Sequence, residues 1–157
     1  MSETGPPAML SRAAFLDVVR DAPLVSIDLI VRDAAGRVLL GLRRNEPARD
    51  FWFVPGGRVL KNEPLEAAFG RLTASELGRA KQRSDARFLG VYEHVYDNNA
   101  GERPGFGTHY VVLGYELRLE AGLELPPEQH SDYRWCGVAA LLSDDRVHAN
   151  TKAYFVD

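Results

Sequence analysis

The sequence predicts an α+β fold, on three observations. Short β-rich stretches outnumber helical ones, turn residues punctuate them at close intervals, and the one long helical pattern carries an apolar stripe on a single face. The chain has 157 residues, enough for one domain that buries roughly two thirds of the surface its unfolded chain exposes. Hydrophobic residues make up 45% and charged residues 26%, a globular composition far from that of a disordered or membrane chain.

Residues 1–9 are small and polar with Pro6 and Pro7, and read as a flexible N-terminus ahead of one domain over residues 10–157. Ser11 is placed to cap a helix running to about Asp21, because Phe15, Val18 and Val19 stand at helical spacing and Pro23 follows. Two apolar runs, Leu24 to Val31 and Arg37 to Leu42, flank Asp33, Ala34, Ala35 and Gly36 and read as a hairpin. Phe51 to Val54 predicts a short strand that stops at Pro55, after which Gly56 and Gly57 allow a sharp turn. The long helix comes next, with Asn62 as its cap, Pro64 in its first turn and Gly78 at its end. Strands are expected over Arg87 to Tyr96, His109 to Leu119 and Tyr133 to Cys136. The polar stretch Asp97 to Gly107 is a candidate lid, and helical pattern returns at Val138 to Leu142 and Asn150 to Phe155.

A formal charge of -3 with no basic block argues against nucleic-acid binding, and no stretch predicts a membrane span. The lone Cys136 cannot form an internal disulfide, which suits a cytoplasmic protein.

One carboxylate is out of place. Leu65, Ala68, Phe69 and Leu72 form the apolar stripe of the long helix, and at about 100° per residue Glu76 falls between Phe69 and Leu72. It also lies in the last turn, where the helix dipole disfavours negative charge. A bound cation would resolve both conflicts; a side chain reaching past the end of the core is the plainer reading. Arg43, Arg44, Arg58 and Arg71 surround the Gly-Gly turn, and guanidinium forks hold phosphate oxygens in pairs, so a diphosphate is one partner they would suit. Solvated surface charge is the other account.

From Gly57 there are five residues to Glu63, seven more to Arg71, and then Glu76 and Gly78. This resembles the box of the Nudix superfamily, but where that box has Arg-Glu-x-x-Glu-Glu, this chain reads Arg71, Leu72, Thr73, Ala74, Ser75, Glu76, so two of three clustered glutamates are missing. The truncated box and its surroundings are similar to the GDP-mannose mannosyl hydrolase branch. The similarity takes in Pro23 to Ser26, Phe53 to Arg58, Thr108 to Tyr110, Glu128 to His130 and Val147 to Asn150.

That resemblance implies a Nudix α/β/α sandwich with a mixed sheet, and a homodimer. It implies hydrolysis of GDP-mannose, or GDP-glucose, at the anomeric carbon with inversion, releasing GDP and free sugar. One Mg2+ per subunit is implied, with Mn2+ as a substitute, held by Glu76, Gln129 and the Gly56 carbonyl. His130, in a polar stretch expected to be a loop, would be the base that activates water. Arg43, Arg58 and Arg71 would bind the diphosphate with Tyr110, and Asp28 and His94 would face the sugar or metal. Two rival readings exist. A pyrophosphohydrolase attacking phosphorus would need a replacement carboxylate, Glu66 or Glu93, and a catalytically silent nucleotide-sugar binder would need no base. Phe51 and Trp52 could stack on a base, although buried core aromatics are commoner.

Overall fold

The computed structural model describes residues 9–119 and 130–156, and of His130 and Ser131 it describes the backbone alone. The expected flexible stretch 1–9 lies outside the described residues except for Met9. Among the described residues seven strands form one mixed sheet in the order β3-β2-β1-β6-β5, with β4 paired to β1 and β7 to β2. The strands are β1 (Leu24–Arg32), β2 (Val38–Arg43), β3 (Trp52–Phe53), β4 (Gly56–Arg58), β5 (Arg87–Tyr96), β6 (Thr108–Arg118) and β7 (His130–Cys136). The helices are α1 (Arg12–Asp21), α2 (Leu65–Leu77), α3 (Val138–Ser143) and α4 (Ala149–Lys152).

The centre of the sheet is the parallel pair β1 and β6, in register from Leu24↔Tyr110 to Arg32↔Arg118. Strand β1 is buried on both faces, and its residues split the core. Ile27, Leu29 and Val31 pack with Phe69, Leu72 and Leu77 of α2, while Ile30 packs with Trp52, Val54, Leu141 and Val147 under α3 and α4. Helices therefore cover both faces of the sheet, as an α/β/α sandwich requires.

Local chemistry explains most boundaries. The Ser11 hydroxyl accepts from Ala14 N–H at the start of α1, and Gly78 closes α2 in the left-handed region at φ 79°. Three expectations need correction. Pro64, not Asn62, is the N-cap of α2, because Asn62 itself turns the chain at φ 64°. The Gly56-Gly57 turn is a strand, since it pairs with Ile27 and Asp28 of β1. His130 opens β7, opposite Arg43, and does not lie in a loop. Within the candidate lid the buried Asn99 amide donates to the Arg103 and Phe106 carbonyls, and its oxygen accepts from Gly101 and Arg103 N–H, so the stretch is braced internally.

Candidate active site

A cleft opens where β1, β4 and the end of α2 meet. Asp28, Arg43, Arg44, Gly56, Arg58, Glu76, His94 and Tyr110 line it together with Ser26, Phe53 and Tyr96. Strand register explains the assembly: Asp28 stands directly across from Gly56 and Ser26 across from Arg58 on β4, while His94 of β5 faces Tyr110 of β6. Asp28 and Gly56 come very close. A Cβ at residue 56 would lie 2.7 Å from Asp28 Oδ1 and collide with the Ile27 carbonyl, so the absence of a side chain there is what lets β4 reach the carboxylate.

The site's electrostatics are those of a mixed-charge pocket with buried carboxylates. Glu76 is 3% exposed and Asp28 8%. Burial, with Glu76 adding to it, pushes the Asp28 carboxyl up to about 7, against the Tyr154 hydrogen bond and Arg43, which pull it down. Burial drives His94 down to about 4, so its ring is neutral at neutral pH, and His148 adds to that. Burial also lowers Arg58 and raises Tyr110. Arg43 stacks over Phe53 at 5.7 Å and Arg58 over Phe15 of α1 at 4.8 Å. Arg43 Nε and His94 Nε2, both on residues that line the cleft, are buried without a hydrogen-bond partner among the described residues, so a bound ligand could satisfy them.

Arg71 is placed elsewhere. Its Nε meets Glu63 Oε2 at 2.7 Å and its terminal nitrogen donates to the Arg58 carbonyl at 2.8 Å, so it braces the end of β4 that carries Arg58 and does not line the cleft. Gln129 lies outside the described residues, as does the side chain of His130. The replacement carboxylates do not line the cleft: Glu66 pairs with Arg83, and Glu93 with His109 on an exposed face. Trp52 is core, with Arg134 stacked over its ring at 4.2 Å, whereas Phe51 meets His148 edge-on at 5.1 Å. Sequence reasoning missed Tyr96, Ser26 and Phe53 as lining residues. Period-2 alternation from Asp28 and His94 would have placed Ser26 and Tyr96 on the same strand faces.

Two buried carboxylates in a cleft otherwise lined by arginines suit a divalent cation. Among the described residues no three His, Cys, Asp or Glu side chains are grouped to hold a metal ion. Glu76, the Gly56 backbone and Asp28 are the groups that would hold such a cation, and one or two carboxylates suffice for a hard cation that leaves its other positions to water and phosphate.

A mixed sheet between helices, with a glycine strand ahead of a helix whose last acidic residue enters an arginine-rich cleft, is the arrangement of a NUDIX-domain hydrolase, and the sequence agrees. The chain belongs to the NUDIX family, whose domain model matches residues 22–156. It is 43% identical over 118 residues to the low-salt glycan biosynthesis protein Agl8 of Haloferax volcanii, covering 74% of this chain and 72% of that protein. A MutT NUDIX hydrolase from Burkholderia pseudomallei is 28% identical, with a TM-score of 0.67 over 85% of this chain and 96% of that one. The NUDIX domain of Shewanella oneidensis NrtR, whose structure holds ADP ribose, shares the fold at 18% identity, with a TM-score of 0.64 over 93% and 96% of the two chains. Hydrolases of this family generally use a divalent metal. No described helix is long and apolar enough to cross a membrane.

Proposed function

We propose that this chain is a magnesium-dependent hydrolase of a nucleotide sugar, GDP-mannose and with it GDP-glucose, and that it releases GDP and free sugar by attack of water at the anomeric carbon. One observation carries the reading: Arg43, Arg44 and Arg58 share a cleft with two buried carboxylates, and α2 contributes only Glu76 to it. That is cation enough for a diphosphate but one acidic side chain from the helix, which favours stabilising a departing diphosphate over assembling several metals to attack phosphorus. The name of the Agl8 relative, a glycan biosynthesis protein, is consistent with a sugar nucleotide.

Glu76, Gly56 and Gln129 would hold the ion, with Asp28 beside them. When bound it supplies positive charge against the diphosphate as negative charge develops there. Arg43 and Arg58 hold the phosphate oxygens and Tyr110 donates to them. His130 takes a proton from water while the water oxygen bonds to C1. The bond from C1 to the phosphate oxygen breaks, and its electron pair departs with GDP. Attack from the opposite face inverts the centre. The same reading makes the protein a cytoplasmic homodimer.

Product identification tests this. The protein is incubated with GDP-mannose and Mg2+, and the products are read by proton and phosphorus NMR. GDP plus β-mannose is expected, with His130→Ala losing most turnover while still binding GDP. GMP plus mannose 1-phosphate would replace the reading with attack at phosphorus.

A further inference from the structure

The C-terminal segment carries three side chains at a spacing of three, and all three reach the strands that form the cleft. His148 stacks on Phe53, with ring centroids 4.9 Å apart and planes at 28°. The Thr151 hydroxyl accepts from Val54 N–H at 3.3 Å. Tyr154, on the 3-10 turn Ala153–Phe155 after α4, donates its hydroxyl to Asp28 Oδ2 at 2.7 Å, across 126 positions of sequence. His148 caps α4, Thr151 lies in it and Tyr154 follows it, so this one short segment makes all three contacts and holds Phe53, Val54 and Asp28 together.

Tyr154 does not line the cleft, but Asp28 does. Its ring occupies a slot made for it. A Cβ at Gly114 would lie 2.9 Å from Tyr154 Cε1 and 3.2 Å from Tyr92 Cε2, and the Tyr92 ring meets Tyr154 at 4.5 Å in an edge contact. Holding the ring there fixes the hydroxyl. With Oδ2 tied to Tyr154, the other oxygen, Oδ1, is the one beside Gly56.

We propose that Tyr154 is a positioning residue for the reaction, orienting the Asp28 carboxylate toward Gly56 of β4 through the hydrogen bond to Oδ2. This rests on the reading above that the cleft is the reaction site. A carboxylate held by one oxygen has one rotamer to present, and a reacting group left to rotate loses the benefit of fixed placement.

The test is a double-mutant cycle of Tyr154→Phe and Asp28→Asn in the full chain, with Tyr92→Phe as control. Tyr154→Phe keeps the ring and its slot. Loss of one buried hydrogen bond that matters in the transition state predicts a kcat about tenfold lower on GDP-mannose, with GDP affinity within about twofold of wild type. Tyr92→Phe should turn over normally. The double variant should be no slower than Asp28→Asn alone, because Tyr154 acts through Asp28. Additive losses, or an unchanged kcat in Tyr154→Phe, would overturn the proposal. A crystal structure of Tyr154→Phe reads the same point without turnover. Asp28 turned from Gly56 is expected, and an unmoved Asp28 rejects the role. If wild type gives GMP instead of GDP, the proposed reaction fails, while the cycle, run on that product, still decides the part played by Tyr154.

Discussion

Glu63 and Arg71 form a two-pronged ion pair, Nε to Oε2 at 2.7 Å and the terminal nitrogen to Oε1 at 2.9 Å, that ties the start of the α2 region to its second turn. The Glu63 side chain is 4% exposed and that of Arg71 is 38%. The same carboxylate accepts from Leu60 N–H, and Arg71 also holds the Arg58 carbonyl. Arg71 thus sets the backbone from which Arg58 reaches the cleft.

Removing Arg71 leaves a buried carboxylate with its ion pair gone. An exposed pair contributes at most about 1 kcal/mol, and breaking a fully buried one costs about 3–5 kcal/mol. With one partner buried and the other part-exposed, Arg71→Ala should destabilise by about 2 kcal/mol, measured by urea unfolding. The Arg71 hydrogen bond holds Glu63 below the ordinary carboxylate range, so its contribution is present at neutral pH and lost as pH falls below about 4.5. The stability gap between wild type and Arg71→Ala should therefore narrow in acid.

Asp28 and His94, whose nearest polar atoms are 4.0 Å apart, give opposing pH dependences. Folded Asp28 is pushed from 3.8 up to about 7, so between those values the folded state holds a proton that the unfolded state lacks, and stability falls as pH rises. Folded His94 is driven from 6.5 down to about 4, so there the unfolded state holds the extra proton, and stability falls as pH drops. In metal-free protein the two slopes cancel. Relative to wild type, Asp28→Asn should lose stability as pH falls from 6.5 to 4, and His94→Gln should lose it as pH rises from 4 to 7. Melts across that range in the presence of a chelator check both, and parallel curves for the variants and wild type would contradict the assignment.

Adjacent glycines should respond differently to a methyl group. At Gly56 the new carbon meets backbone, the Ile27 carbonyl, as well as Asp28 Oδ1. At Gly57 it meets only the tip of the Leu72 side chain, which can turn aside. Gly56→Ala should cost about 3 kcal/mol, the upper end of overpacking penalties, and most activity, and Gly57→Ala about 1 kcal/mol. Thermal melts and turnover of the two variants decide.

Glu76→Gln removes the α2 carboxylate from the cleft with little change in shape. Magnesium affinity, read by isothermal titration in the presence of GDP, should weaken by at least about tenfold, a loss that even an outer-shell partner can produce. Unchanged affinity would place the ion elsewhere.

The sequence by itself determined the periodic elements and the exceptions to their periodicity. The α1 cap, the end of α2 at Gly78 and strand β5 follow from local rules of spacing and turn chemistry. Glu76 was marked by a conflict on its own helix, an acidic side chain on an apolar stripe, and it is buried in the cleft. Only the tertiary structure decided what depends on pairing between distant segments. Whether Gly56-Gly57 is turn or strand depends on β1, which lies about thirty residues earlier. Whether an arginine braces or binds depends on which carboxylate comes within reach, and Glu63 takes up Arg71 while Arg43 and Arg58 remain in the cleft. The Tyr154 hydroxyl reaches Asp28 only after β1, β6 and the C-terminal turn have stacked, because a hydrogen bond across 126 positions leaves no local signal in either segment. Burial then sets the pKa values of Asp28 and His94, and burial is a property of the packed sheet that no residue carries alone.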